Sequence, residues 1–232
     1  RGAGEAELGW IDEALDENVM TIGFARRVPT YKRLTLMLRD PQRLRAMLTD
    51  PERPIQLIIA GKSHPADEQG KKMIQELVQF TDDPEVRKRI VFLPNYDMRM
   101  AHTLFPGCDV WLNNPLRPFE ACGTSGMKAA LNGGLNLSIL DGWWDEMYDG
   151  NNGWAIPTAA AGVSEEERDD LEAAALYELL EKELIPRFYG LEAPVSTPGE
   201  VSSADSGAVV TNDGVPHQWI SMIKHTLKDL GP

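Results

Sequence analysis

Short runs of Val, Ile and Leu alternate along this chain with longer stretches of helical period. That alternation limits the possible folds more than any other feature. Residues 19–24, 55–60, 89–93, 109–112 and 135–140 read as strands. Between them, residues 31–48, 66–80, 98–105 and 124–131 read as helices. The first helical stretch breaks at Asp40-Pro41, where Asp can cap and Pro can open a helix. The second sets Met73, Leu77 and Phe80 on one face. Strands that are apolar throughout are buried on both faces, and this implies a parallel sheet with helices on either side. The expected class is α/β, a doubly wound, Rossmann-like sheet. Ligands of such sheets bind beyond the carboxyl ends of the strands. Residues 25–32, 61–65 and 113–128 are therefore the loops where a site is expected.

The pattern changes after Pro157. Residues 165–184 read as a charged helix whose Glu165-Glu166-Glu167 and Asp169-Asp170 form a solvated start. Residues 191–214 read as a flexible loop rich in Ser, Gly, Pro and Val, and 215–232 as a final helix with Trp219, Ile220, Ile223 and Leu227 on its apolar face. Residues 1–18 read as a lead-in, and 19–190 as one Rossmann-like domain.

The net charge of −13 opposes both nucleic acid and an anionic membrane surface. The acidity is uneven, however. Between Asn18 and Arg39 there is no Asp or Glu, while Arg26, Arg27, Lys32, Arg33 and Arg39 all fall there. This cationic island suggests a small anionic ligand, with a solvated basic helix face as the plainer alternative. The two cysteines, Cys108 and Cys122, lack metal or disulfide spacing, and Cys108 reads as a buried core thiol. The four histidines are scattered, so no metal is expected. His64, which follows the second strand at the expected crevice, reads as a hydrogen-bonded structural residue, with a ligand contact as the alternative. No stretch approaches the ~20 apolar residues of a membrane span. A reducing cytoplasm is the expected setting, and the start without Met suggests a fragment or processed product.

The most unusual stretch is Phe119-Glu120-Ala121-Cys122-Gly123-Thr124-Ser125-Gly126-Met127-Lys128. A strand ends, a carboxylate follows, then a glycine turn and a helix start. Thr124 is the expected N-cap. Helix N-termini bind phosphate, and Lys128 lies one turn further along on the same face. A ligand carrying both an aldehyde and a phosphate, such as pyridoxal phosphate, suits that spacing. On spacing alone a capped helix with a solvated lysine is the plainer reading, because such glycine turns are common.

Here the residues resemble the α-glucan phosphorylases. That family carries E-A-S-G-T-G-N-M-K, whose lysine forms the Schiff base with pyridoxal phosphate; this chain reads E-A-C-G-T-S-G-M-K at 120–128, followed by Asn132-Gly133 and Asp141-Gly142. Arg26-Arg27-Val28-Pro29-Thr30-Tyr31-Lys32-Arg33 stands where the family has K-R-I-H-E-Y-K-R. Phe92-Leu93-Pro94-Asn95-Tyr96 is similar to F-L-E-N-Y, and Gly61-Lys62 closes the second strand. The resemblance implies the C-terminal half of a two-domain GT-B glycosyltransferase fold. It implies phosphorolysis of an α-1,4-glucan (glycogen or maltodextrin) to glucose 1-phosphate, with retained configuration and the cofactor's phosphate exchanging the proton.

The same resemblance assigns roles. Lys128 would hold pyridoxal 5′-phosphate, Tyr96 would lie against its ring, and Gly123 and Thr124 would bind its phosphate. Arg26, Arg27 and Lys32 would gather the substrate phosphate. Glu120, helped by Cys122 and Gly123, would accept hydrogen bonds from glucosyl hydroxyls. The implied partners are the glucan, inorganic phosphate, the N-terminal half of the same enzyme, toward which the helix at 215–232 would return, and a second copy in a homodimer. Departures are Cys122 for serine, Pro29-Thr30 for His-Glu, Ser125-Gly126 for Gly-Asn and Arg26 for lysine. They bear on substrate contacts more than on reaction class. Two other readings stand beside this one: a nucleotide-sugar glycosyltransferase, which needs no such lysine, and a folded module inactive by itself. Residues 141–146, with Trp143 and Trp144, would either stack on sugar or pack in a core.

Overall fold

The computed structural model describes residues 9–27, 33–190 and 216–230, the side chains of Arg27 and Leu230 excepted. Strands β1 (Met20–Arg27), β2 (Ile55–Lys62), β3 (Ile90–Pro94), β4 (Val110–Asn113), β5 (Leu135–Ile139) and β6 (Gly153–Ile156) form one sheet. Their order is β3-β2-β1-β4-β5-β6. Every pairing is parallel. The doubly wound Rossmann-like class expected from the apolar strands is the one observed. The order reverses between β1 and β4, the switch point at which sheets of this class bind ligands beyond the carboxyl ends of their strands.

The helices are α1 (Pro41–Leu48), α2 (Glu68–Thr81), α3 (Met98–Leu104), α4 (Thr124–Leu131), α5 (Trp143–Met147), α6 (Glu165–Leu179) and α7 (His217–Leu230). α6 continues through a π turn at Leu180–Leu184 into Ile185–Phe188. Strand side chains alternate between faces. Met20, Ile22, Phe24, Leu57 and Ile59 meet α1, α2, α6 and α7 in the main core. On the opposite face Ala25, Ala60 and Trp111 meet Leu104 of α3 and Ala129 of α4. Gly23 is required there, because a Cβ would sit 2.5 Å from Cys108 Sγ and 2.9 Å from the Trp111 ring. Cys108 is the buried core thiol that its apolar neighbours suggest. Burial, reinforced by the Asp109 charge, pushes its pKa up to about 12.

The helix starts follow from local chemistry. Asp40 accepts the Arg43 amide at 3.0 Å, with Pro41 in the first position of α1. Asp67 caps α2 through the Gly70 amide and Asp97 caps α3 through that of Met100, both at 2.8 Å. Two elements escape the sequence pattern. α5 and β6 have five and four residues, too few for a period to show. α7 packs on this domain: Trp219 is buried, its ring 5.5 Å from Trp154 and 5.2 Å from Phe188, while Leu227 is exposed. The segment 191–214, read as a flexible loop, lies outside the described residues. Among the described residues no helix is long and apolar enough to cross a membrane.

Candidate active site

The segment leaving β4 holds the expected site, and its local structure corrects one detail. α4 is capped by Gly123 and not by Thr124. Gly123 takes φ +85° with no side-chain cap, and Thr124 is the first helical residue. A left-handed residue before the helix gives a sharp turn that only glycine adopts readily. It leaves the opening amides of α4 without a side-chain partner. The hydroxyl of Ser125, in the first turn, is buried and without a partner among the described residues. Asp141 and Gly142 hold the turn from behind. The Asp141 carboxylate accepts the Glu120 amide at 2.9 Å, and the Cys122 carbonyl accepts the Trp143 amide at 2.8 Å. Trp143 and Trp144 are core residues behind the turn, so the packing alternative holds for both.

Lys128 stands one helical turn after Thr124 and lines a cleft of about 450 Å³ between α3 and α4. Tyr96, Lys62 and His102 line the same cleft. Tyr96 is placed by Asn95, whose φ of +61° turns the chain and whose amide donates to the Gly61 carbonyl at 3.1 Å. Burial raises the Tyr96 pKa against the opposing Arg26 charge, so the phenol stays neutral. Lys62 ends β2 directly beside Arg27 of β1 in register. Arg26 and Glu120, both buried, pair at 3.1 Å across the β1–β4 switch point. The expected residues Arg26, Tyr96, Glu120, Gly123, Thr124 and Lys128 thus gather around the carboxyl ends of β1, β3 and β4. Cys122 is exposed beside the turn. The Arg27 side chain and Lys32 lie outside the described residues.

The cationic island needs correction at two positions. The Arg39 Nε donates to Asp170 at 2.8 Å, and Arg33 pairs with Asp169 at 2.9 Å and Glu172 at 2.6 Å. These arginines answer carboxylates of α6 instead of facing a ligand as an open basic patch. By the same contacts Asp169 and Asp170 are ion-pair partners and not only a solvated helix start. Sequence reasoning also gave no role to the cleft residues Asp97, His102 and Asn132. The loop after β3 ends at the same edge as the others, and that topological signal alone would have found Asp97. His64 accepts the Ala66 amide at 3.1 Å, the structural role expected of it. His225 lies 2.6 Å from Asp149 and 3.1 Å from Asp229, a bracket invisible in the sequence.

Residues 13–178 match the model of the family described as carbohydrate phosphorylase. The chain belongs to the carbohydrate phosphorylase family. Among its phosphorylase relatives, a glycogen phosphorylase of Mycobacterium tuberculosis (strain ATCC 25618 / H37Rv) is 62% identical over 232 residues, all of this chain and 25% of that protein. A glycogen phosphorylase of Aquifex aeolicus is 48% identical over 94% of this chain and 28% of that protein. A maltodextrin phosphorylase of Thermococcus litoralis is 44% identical over 94% of this chain and 23% of that protein. The phosphorylase chain in hand therefore spans about a quarter of the length of these relatives. Its fold is also that of Anabaena HepE, solved in complex with UDP and glucose, with a TM-score of 0.53 at 14% identity over 97% of this chain and 47% of that one. The sheet alone would not separate a phosphorylase from such proteins. The family match does.

Proposed function

We propose that this chain is the C-terminal part of an α-1,4-glucan phosphorylase that carries pyridoxal 5′-phosphate on Lys128. The enzyme transfers a glucosyl unit from the end of a glucan to inorganic phosphate, giving glucose 1-phosphate with retained configuration. The observation that carries this reading is the placement of Lys128. It projects from a helix without a side-chain cap into a cleft shared with Tyr96.

The residues present fit the cofactor. Lys128 would hold its aldehyde carbon, Tyr96 would flank its ring, and the opening amides of α4 at Gly123 and Thr124 would meet its phosphate. The orphaned Ser125 hydroxyl lies at the same helix start and is a further donor. When bound, the cofactor supplies through its phosphate a group that donates and accepts a proton.

The chain's own residues do the rest. Two phosphates side by side in a site shielded from water repel strongly, because the interaction scales inversely with the local dielectric. Cations must gather around them. Arg26 brings such a charge to the switch point, buried and held by Glu120. Arg27 and Lys32 are assigned to the substrate phosphate. Glu120, oriented by Arg26, is assigned to glucosyl hydroxyls with the backbone at Cys122 and Gly123. Positive charge that develops on the reacting sugar is stabilised by the adjacent phosphate. The remaining three quarters of the enzyme would supply the facing wall of the cleft, and a cytoplasmic setting goes with a glucan-degrading enzyme.

The test is phosphorolysis by the full-length enzyme. Inorganic phosphate and maltodextrin should yield glucose 1-phosphate, and Arg27→Ala should raise the KM for phosphate. One charge-assisted contact to a dianion contributes roughly 1.5–3 kcal/mol. Release of glucose from a nucleoside diphosphate sugar, with no phosphate dependence, would refute the assignment.

A further inference from the structure

Arg33 lies outside every role assigned so far, yet it is among the most heavily bonded side chains near the crevice. It is 7% exposed and sits at φ +47°, where residues other than glycine are uncommon. Its Nε donates to the Asn114 carbonyl at 3.0 Å and its Nη2 to the Pro115 carbonyl at 2.9 Å. Its Nη1 reaches Asp169 at 2.9 Å and its Nη2 reaches Glu172 at 2.6 Å. A return bond runs from Asn114 Nδ2 to the Arg33 carbonyl at 3.2 Å. Glu172 is itself buried and accepts the Ala159 amide at 3.1 Å. One guanidinium thus ties three segments together: the chain that follows the β1 loop, the segment leaving β4, and α6 with the chain leaving β6.

The segment leaving β4 runs on from Asn114 and Pro115 to Glu120, where Arg26 grips it from β1. The switch point is therefore bracketed by two buried arginines, each reaching from the β1 side to the β4 side. An arginine serving only fold stability would be satisfied by the carboxylates of α6. Beyond those carboxylates, two further Arg33 bonds go to carbonyls of the segment that presents Glu120.

We propose that Arg33 is a positioning residue for sugar recognition, fixing residues 114–120 so that Glu120 stands where glucosyl hydroxyls arrive. The proposal rests on the reading of Glu120 as their acceptor. A planar guanidinium spans two carbonyls and two carboxylates at once. An ammonium with three donors on a single nitrogen does not.

The test is steady-state kinetics of the full-length enzyme with Arg33→Lys, Asp169→Asn and Glu120→Gln, with glucose 1-phosphate varied. A displacement of about 1 Å in a positioning element costs on the order of 10²-fold. Because Glu120 is read as a substrate-binding acceptor, Arg33→Lys should lower kcat/KM for glucose 1-phosphate at least ~10-fold, chiefly through a raised KM, with the cofactor absorbance band retained. Asp169 is partly exposed, so Asp169→Asn keeps the fold and should raise the same KM less, in the same direction. A lowered unfolding midpoint with that KM unchanged in Asp169→Asn and Arg33→Lys would overturn the proposal. Glu120→Gln separates the two levels. If it leaves the KM for glucose 1-phosphate unchanged, the sugar role of Glu120 fails and the proposal with it. If it raises that KM while Arg33→Lys does not, only the positioning role fails.

Discussion

At the scale of single residues, the glycines around the turn show how backbone space determines the site. Gly142 sits at φ +59°, and a Cβ there would lie 2.6 Å from the Cys122 carbonyl oxygen and 3.0 Å from that of Glu120. Both oxygens belong to the segment that leads into α4, so any side chain at 142 pushes the turn toward the cleft. Gly142→Ala should cost about 2–4 kcal/mol, combining a strained positive-φ conformation with an overpacked contact. The urea midpoint should fall accordingly, and an unchanged midpoint would contradict the close packing. These roles were only half legible beforehand. The motif at 120–128 pointed to Lys128 and to a glycine turn, because strand, turn and helix start follow one another in the sequence. The identity of the cap was not legible. Thr124 has the chemistry of an N-cap, but the positive φ of Gly123 places the helix boundary one residue earlier.

At the scale of elements, strand and helix order was readable because each long element carries its own period and cap. Asp40 before Pro41 and the apolar face of α2 are local signals. Partnerships between elements were not readable. Arg33 and Arg39 find Asp169 and Asp170 more than a hundred residues away, and nothing in the local sequence announces it. The bracket that joins α7 to the segment before β6 is of the same kind. The Asp149 hydrogen bond raises the His225 pKa, the Asp149 and Asp229 charges add to it, and the Lys228 charge opposes it. The bracket's contribution is therefore complete below the imidazole's ordinary value of about 6.5 and is lost as pH rises through the raised value. The stability gap between the unaltered chain and His225→Gln should be widest below the imidazole's ordinary value and close as pH rises past the raised one. Thermal unfolding at several pH values measures it, and a gap independent of pH would contradict the bracket.

At the scale of the whole molecule, the proposed function makes the chain one wall of an active site. The sheet gathers Arg26, Tyr96, Glu120 and Lys128 around the carboxyl ends of its strands, and under the proposed function the rest of the enzyme would supply the facing wall. Residues 1–232 alone should therefore release little or no glucose 1-phosphate from maltodextrin, whereas turnover matching that of the full-length enzyme would contradict a shared cleft. The central claim is narrower and can be tested on the amine itself. Purified enzyme loaded with pyridoxal phosphate should absorb in the near ultraviolet. Borohydride should bleach the band and leave a reduced pyridoxyl group on the tryptic peptide that contains Lys128. A reduced adduct on another lysine, or no adduct with full activity retained, would contradict the account.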